Sequence, residues 1–270
     1  DWSSDVCSSD LGAGFIGCII LESLVERGVN LTVVEAEDRM ISRMMDATGG
    51  KILKRWVEAK GVKLLTSTRV TGVADNAGKL TVSTDKAGDL PADLVVVSVG
   101  VKPNTAFLDG SGVEASDGIS VDAHLQTNVA DIYAAGDVAK GPDFGGGFEV
   151  HAVQPTSVDH GRIAALNMAG QTATYQGSLI MNVLDTLGLV SASFGHWMGE
   201  DDIAVMIDHD KHRYTKLAFH GDHLVGALSL GRTHQIGVLR GLIQTRLKLG
   251  RGQERVQATP SLIADAYAGG

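Results

Sequence analysis

The stretch that decides the fold is Gly12-Ala13-Gly14-Phe15-Ile16-Gly17, which runs directly into Cys18-Ile19-Ile20-Leu21-Glu22-Ser23-Leu24-Val25-Glu26-Arg27-Gly28. The first part fits G-x-G-x-x-G, and the second reads as an amphipathic helix stopped by a glycine. Such a hinge turns a strand into a helix. Gly12 permits the tight turn, Gly14 lets the backbone approach a pyrophosphate, and Gly17 lets the helix pack closely on the sheet. The helix N-terminus then faces the phosphates with unpaired N–H groups, and Phe15 and Ile16 in the hinge are candidate cofactor contacts. The next strand makes the pattern specific. Leu31-Thr32-Val33-Val34-Glu35 is an apolar run ending in an acid, at about the ~20-residue spacing expected of a ribose-binding carboxylate. Glu35 is expected to accept hydrogen bonds from ribose hydroxyls and to repel a 2′-phosphate. Glu37 and Asp38 add to that repulsion, although Arg39 and Arg43 lie close by, and on balance NADH is favoured over NADPH.

Working outward, a second helix is expected over Met45 to Lys60, ended by Gly61, then a strand from Val62 to Leu65. Arg69 to Ala74 and Lys79 to Thr84 have strand composition, and Asp75-Asn76-Ala77-Gly78 between them reads as a hairpin turn. The continuous apolar run Asp93 to Gly100 predicts a buried strand whose terminal Gly100 lets a nucleotide lie close to backbone. Upstream of the hinge, residues 1–11 repeat Ser-Ser-Asp and show neither helical nor strand periodicity. They are expected to form no structural element, and they resemble translated sequencing-library adapter joined to an N-terminally truncated gene.

Further along, Thr127-Asn128-Val129-Ala130-Asp131-Ile132-Tyr133-Ala134-Ala135-Gly136-Asp137 reads as a short apolar strand before a Gly-Asp pair. With the glycine hinge and with Gly100-Val101-Lys102-Pro103-Asn104, it makes three ordered motifs. Together they resemble the pyridine-nucleotide-disulfide oxidoreductase superfamily, and most closely its branch of rubredoxin reductases, ferredoxin reductases and nitrite reductase flavin domains. The resemblance implies an α/β fold with three parts. These are a Rossmann-like NAD(P)H-binding domain of parallel sheet plus β-meander over 12–100, the C-terminal part of an FAD-binding domain over 101–172, and a C-terminal α+β domain over 173–270 of the kind that mediates dimer contact.

It also implies FAD and NADH as cofactors, with hydride passing from NADH to flavin and electrons onward to a small molecule, a reductase domain or a rubredoxin- or ferredoxin-like protein. Gly136 and Asp137 would hold the flavin ribityl chain. The helix from Gln154-Pro155-Thr156 to Asn167 would face the flavin with its N-terminus, stabilising charge on the reduced ring. No side-chain general acid or base is assigned, and none is needed for hydride transfer. The family's N-terminal FAD segment, with its own glycine hinge, is missing from this sequence. Activity is therefore expected of the parent protein, and at best weak NADH binding of the chain alone. Where many relatives carry a glutamate two residues after the last hinge glycine, this chain has Ile19. Two further readings stay open: a disulfide, peroxide or oxygen reductase using a cysteine in the missing segment, and an NADH-binding redox sensor.

In the C-terminal region, Ile203 to Asp208, Tyr214 to Phe219 and Leu224 to Leu230 alternate as an antiparallel meander, with His220-Gly221-Asp222-His223 as a hairpin turn. Ile236 to Leu249 reads as a basic amphipathic helix. Arg240, Arg246, Lys248, Arg251 and Arg255 would suit an acidic electron-transfer partner, although a solvated face has the same composition. Trp197 and Phe194 read as core. Histidines 196, 209, 212, 220, 223 and 234 lack the paired spacing of a metal site. In a chain of 270 residues with net charge −9, no Lys/Arg stripe offsets that charge to hold a nucleic-acid backbone. No apolar run reaches the roughly 20 residues of a membrane span. Two cysteines, Cys7 and Cys18, form neither a CxxC pair nor a metal-ligand cluster, and they fit a reducing cytoplasm.

Overall fold

A run such as Leu31-Thr32-Val33-Val34 is apolar on both faces and settles only where both faces are covered. In the computed structural model, which describes residues 7–199 and 202–268, it lies inside a four-stranded parallel sheet. In chain order the first elements are β1 (Cys7–Leu11), α1 (Phe15–Glu26), β2 (Asn30–Val34), α2 (Ala47–Glu58), β3 (Lys63–Leu65), β4 (Val70–Asn76), β5 (Lys79–Thr84), β6 (Asp89–Ala92) and β7 (Leu94–Val97). The parallel sheet has the order β3-β2-β1-β7, and β4-β5-β6 form a separate antiparallel sheet. The α/β class and the parallel sheet with an added meander are as the sequence predicts.

Two expectations for this region need correction. Residues 7–11, expected to form no structural element, pair in parallel with β2 on one side and β7 on the other. Strand formation here is a matter of backbone hydrogen bonds offered from both sides, and a Ser-Ser-Asp composition does not prevent it. The run Asp93 to Gly100 is not a buried strand: its ladder stops at Val97, and Val97 and Val99 are 63% and 76% exposed. Its place at the sheet edge explains this, since only one neighbour pairs with it. The hairpin between β4 and β5 turns on Ala77 (φ 56°) and Gly78 (φ 87°). Two positive φ angles are what a two-residue turn of the right twist requires.

Next come β8 (Ile119–Ser120), β9 (Ala139–Pro142), β10 (Phe148–Val150) and α3 (Gln154–Met168). The expected strand before Gly136 is absent as a ladder. Gln126 and Tyr133 form a single antiparallel bridge, and Gly136–Val138 continue as a 3-10 turn. The segment folds back on itself through a turn with Asp131 at φ 62°, where the Thr127 N–H donates to the Ile132 carbonyl and the Ala134 N–H to the Leu125 carbonyl, so no run of residues is left to form a ladder. The chain ends with β11 (Met181–Thr186), β12 (Leu189–Gly195), β13 (Ile203–Asp208), β14 (Arg213–His220), β15 (His223–Leu230), α4 (Ile236–Thr245), α5 (Gly252–Ala258) and α6 (Ile263–Ala268). The last three strands are the predicted meander, extended by two unforeseen strands into a sheet of order β11-β12-β15-β14-β13. The helix expected over Ile236 to Leu249 stops at Thr245, where Arg246 takes the left-handed conformation (φ 50°) and closes the last turn.

The chain divides into two compact units, residues 1–100 with 183–270, and residues 101–182. In the first unit one core joins Cys18, Leu21, Leu31, Val33, Ile52 and Leu53 to Leu184, Trp197, Tyr214, Leu228 and Leu230. Trp197 and Phe194 are buried in the first unit, as expected. α2 is the element that fastens its own sheet to the C-terminal one. Asp46 caps it, accepting from the N–H groups of Thr48 and Gly49, and also accepts from the Tyr214 hydroxyl at 2.5 Å. Farther along the helix, Trp56 Nε1 donates to the carbonyls of Thr186 and Leu187. The second unit has its own core of Ile119, Val121, Leu125, Ala139, Ile163 and Tyr175. No helix among the described residues is long and apolar enough to cross a membrane.

Candidate functional site

The register of the parallel sheet sets Leu11 level with Val34 and Val97, so β1, β2 and β7 end side by side. Chain leaving three neighbouring carboxyl ends makes a crevice, the usual place for a ligand on an open α/β sheet. Gly12, Glu35 and Ser98 lie there, and Gly100 follows Ser98 by two residues.

The hinge glycines differ in what surrounds them. Gly12 has φ 111°, and a Cβ on it would sit 2.7 Å from the Ser98 carbonyl oxygen. Its N–H donates to the Val34 carbonyl at 2.8 Å, and its own carbonyl accepts from Ser98 Oγ at 3.1 Å. At Gly17 an added Cβ would lie 1.9 Å from the Gly12 carbonyl oxygen, which fixes α1 hard against the turn. Gly14 caps α1 from an extended conformation (φ −77°), and a Cβ there would meet nothing within 4 Å. The hinge is therefore closed by Gly12 and Gly17 and open at Gly14. Gly100 is likewise open, at φ 107°. Phe15, Ile16 and Ile19 leave 40%, 48% and 47% of their surface exposed along the first turns of α1.

Glu35 is not a free strand end. One carboxylate oxygen accepts from the Ala13 N–H at 2.7 Å and the other from the Glu37 N–H at 2.7 Å. The acid at the end of β2 is thus tied into the glycine hinge while keeping its charge at the crevice. Arg39, a neighbouring cation able to meet a 2′-phosphate, is engaged elsewhere: its Nε donates to the Met45 carbonyl at 2.9 Å and its Nη1 to Asp38 at 2.5 Å. Sequence reading did not single out Ser98. Its only signal is its place two residues before the glycine that ends the apolar run.

In the second unit the predicted residues also come together. Gly136, at φ 80°, lies with Asp137 against the first turns of α3, and Ser157 Oγ donates to Asp137 Oδ1 at 2.8 Å. Asp137, Gln154 and Pro155 are exposed, whereas the Thr156 side chain is buried. Thr156 therefore offers its backbone N–H, not its hydroxyl, at the helix start. Val153 caps α3 with no side-chain hydrogen bond, so the first N–H groups have no capping side chain. Among the described residues no group of three His, Cys, Asp or Glu side chains is placed to hold a metal ion.

Comparison with known proteins bears on this geometry. The family described as "Pyridine nucleotide-disulphide oxidoreductase" matches residues 11–173. The epsilon subunit of NADH-dependent phenylglyoxylate dehydrogenase from Aromatoleum evansii is 30% identical over 258 residues, covering 94% of this chain and 61% of that one. Rubredoxin-NAD(+) reductase from Ectopseudomonas oleovorans is 25% identical over 237 residues, covering 87% of this chain and 61% of that one. The chain thus spans less than two thirds of both relatives. The solved covalent putidaredoxin reductase–putidaredoxin complex superposes with a TM-score of 0.87 at 20% identity, covering 98% of this chain and 64% of that one, which shows a shared fold.

Proposed function

Because the chain belongs to the pyridine nucleotide-disulphide oxidoreductase family, we propose that it supplies the NADH site and part of the FAD site of a flavoprotein reductase. The observation that carries the reading is the hinge: two glycines, on which an added Cβ would stand 2.7 and 1.9 Å from a backbone oxygen, flank one on which it would meet nothing within 4 Å. A packing turn would need only the locked pair. An unfilled face at Gly14, at the N-terminus of a helix, suits an anionic diphosphate that must reach backbone. Glu35 then serves the ribose hydroxyls. Its negative charge, with Arg39 turned aside to Asp38 and Met45, favours NADH over NADPH. The similar rubredoxin reductase is named for NAD(+), and the phenylglyoxylate dehydrogenase for NADH.

Asp137 is the residue to accept hydrogen bonds from a flavin's polyol chain, and Ser157 holds its carboxylate in place. The first turn of α3 presents N–H groups and the positive end of the helix dipole to negative charge on the reduced ring. Bound FAD would supply the redox chemistry, taking a hydride and releasing electrons to an acceptor. The protein's part is to hold the two nucleotides and to fix charge near them.

For the acceptor we propose an acidic rubredoxin- or ferredoxin-like protein. Arg240, Arg246, Lys248, Arg251 and Arg255 are all exposed, and Glu254 is the only acid between 233 and 255. The test is calorimetric titration with NADH and NADPH. Tighter binding of NADH, lost on Gly14→Ala, supports the reading, and equal or absent binding of both refutes it.

A further inference from the structure

Behind the first turns of α3 the second unit buries a group of ionisable side chains that neither nucleotide site uses. His160 is 1% exposed, and neither of its ring nitrogens has a hydrogen-bond partner among the described residues. Its ring packs edge-on against Tyr175, with centroids 4.6 Å apart. On another side it lies against the backbone of Gly141 in β9, where a Cβ would approach ring atoms to 3.5 and 3.6 Å. Nearby, His151 Nε2 stands 3.0 Å from Asp143 Oδ2, with both side chains less than one-tenth exposed.

These groups hold the start of α3 from two directions. His151 accepts at its carbonyl from the Val153 N–H at 2.8 Å, and Val153 is the N-cap of α3. His160 sits in the second turn, on the same buried face as Thr156 and Ile163. Tyr175, against which the ring rests, bonds Ser178 Oγ at 2.8 Å, and the Thr156 hydroxyl also acts on it. The far end of the helix is anchored separately. Asn167 Nδ2 donates to the carbonyls of His124 and Ala173, and its Oδ1 accepts from the Ala173 N–H. The C-terminal end of α3 is thus held by contacts that do not involve His160.

We propose that His160 is a buried proton site that controls the first turns of α3: neutral, it seats the helix, and when protonated it must leave its pocket and loosen that end. The charged groups acting on the ring are few. Burial and then the neighbouring His151 hold its pKa below the ordinary histidine value, and Asp159 on α3 opposes them weakly. Asp143 stands behind His151, Tyr175 presents its ring, and β9 presents the Gly141 backbone. With the folded pKa depressed, the opened state binds the proton first. Opening is therefore favoured as pH falls below the ordinary histidine value of 6.5, by about tenfold per pH unit for one proton. That this turn meets flavin rests on the proposed function. The proton site does not.

The test is amide hydrogen exchange of the wild-type chain from pH 7.5 to pH 5, corrected for intrinsic exchange. Protection in the N-terminal half of α3 should fall by up to about tenfold per pH unit, while α2 amides of the same chain stay protected. In His160→Gln the fall should vanish. If that variant does not fold, imidazole NMR titration of the wild type replaces it. A ring that titrates at the ordinary histidine value, or α3 protection that tracks α2, overturns the proposal. In a parallel arm on the full-length parent protein, FAD affinity should weaken with the same pH profile. Loosening of α3 with unchanged FAD affinity would leave the proton site standing and remove the flavin-facing assignment of the helix.

Discussion

Gly14 and Gly17 lie three residues apart in one motif, and the structure predicts opposite consequences for the same substitution. In Gly17→Ala the new methyl would start 1.9 Å from the Gly12 carbonyl oxygen and 2.9 Å from Ser98 Oγ. The first of these is backbone locked in a turn, so α1 must move off the sheet, and overpacking of this kind costs about 1–3 kcal/mol. The value should fall near the upper end, because Cys18 and Leu21 are carried out of the core with the helix. In Gly14→Ala the methyl meets nothing within 4 Å. Loss of unfolded-state freedom favours alanine by about 0.4–1 kcal/mol. Alanine is poorer than glycine as an N-cap by roughly the same amount, so stability should change by less than about 0.5 kcal/mol. NADH binding should nevertheless weaken at least about tenfold, or about 1.4 kcal/mol, since the methyl occupies the open face. Urea unfolding followed by tryptophan fluorescence, with Trp56 and Trp197 both packed in this core, gives the stability. Calorimetry gives the affinity. The reasoning is refuted if Gly14→Ala loses as much stability as Gly17→Ala, or if it binds NADH as the parent does.

Three further outcomes are expected. Burial, and then the Asp46 carboxylate, push the Tyr214 hydroxyl far above its ordinary value of 10. The folded state therefore keeps a proton that the unfolded state gives up, so stability should decline as pH rises above about 10. Tyr214→Phe should flatten that decline at a cost of about 1–3 kcal/mol near neutrality, measurable in urea melts at several pH values. Glu35→Ala removes charge-assisted bonds worth about 1.5–3 kcal/mol in comparable settings. It should weaken NADH roughly tenfold or more and narrow its advantage over NADPH in competition assays. In the full-length parent protein, Arg251→Glu with Arg255→Glu should slow electron transfer to an acidic acceptor at low salt and leave NADH affinity unchanged. A rate insensitive to both charge and salt would remove the docking role of that surface.

How far each feature depends on its own residues decides whether it could be read in the sequence. The hinge, α1 and α3 carry their turn and cap chemistry locally, and β13 to β15 carry their alternation locally, so all were readable. β1 was not, because Cys7–Leu11 take their strand from partners on both sides. Apolar content overstated the burial of β7, since the exposure of Val97 depends on which strands lie beside it. At the site, Gly12, Gly17 and Glu35 were legible from spacing, but not the bond from the Ala13 N–H to Glu35, which needs the turn in three dimensions. The Asp143, His151 and His160 group gave no motif, its members being scattered along the chain. Its one signal was a histidine on the buried stripe of Thr156, Ile163 and Ala164.

In the reductase proposed for this chain, NADH held at the Gly12 to Gly17 hinge reduces a flavin held with the help of Asp137. Rapid anaerobic mixing of NADH with the FAD-loaded full-length parent protein is the direct test. The flavin's yellow absorbance should be lost rapidly, and more slowly in Gly14→Ala and in Glu35→Ala. A flavin that stays oxidised while NADH is bound would contradict it.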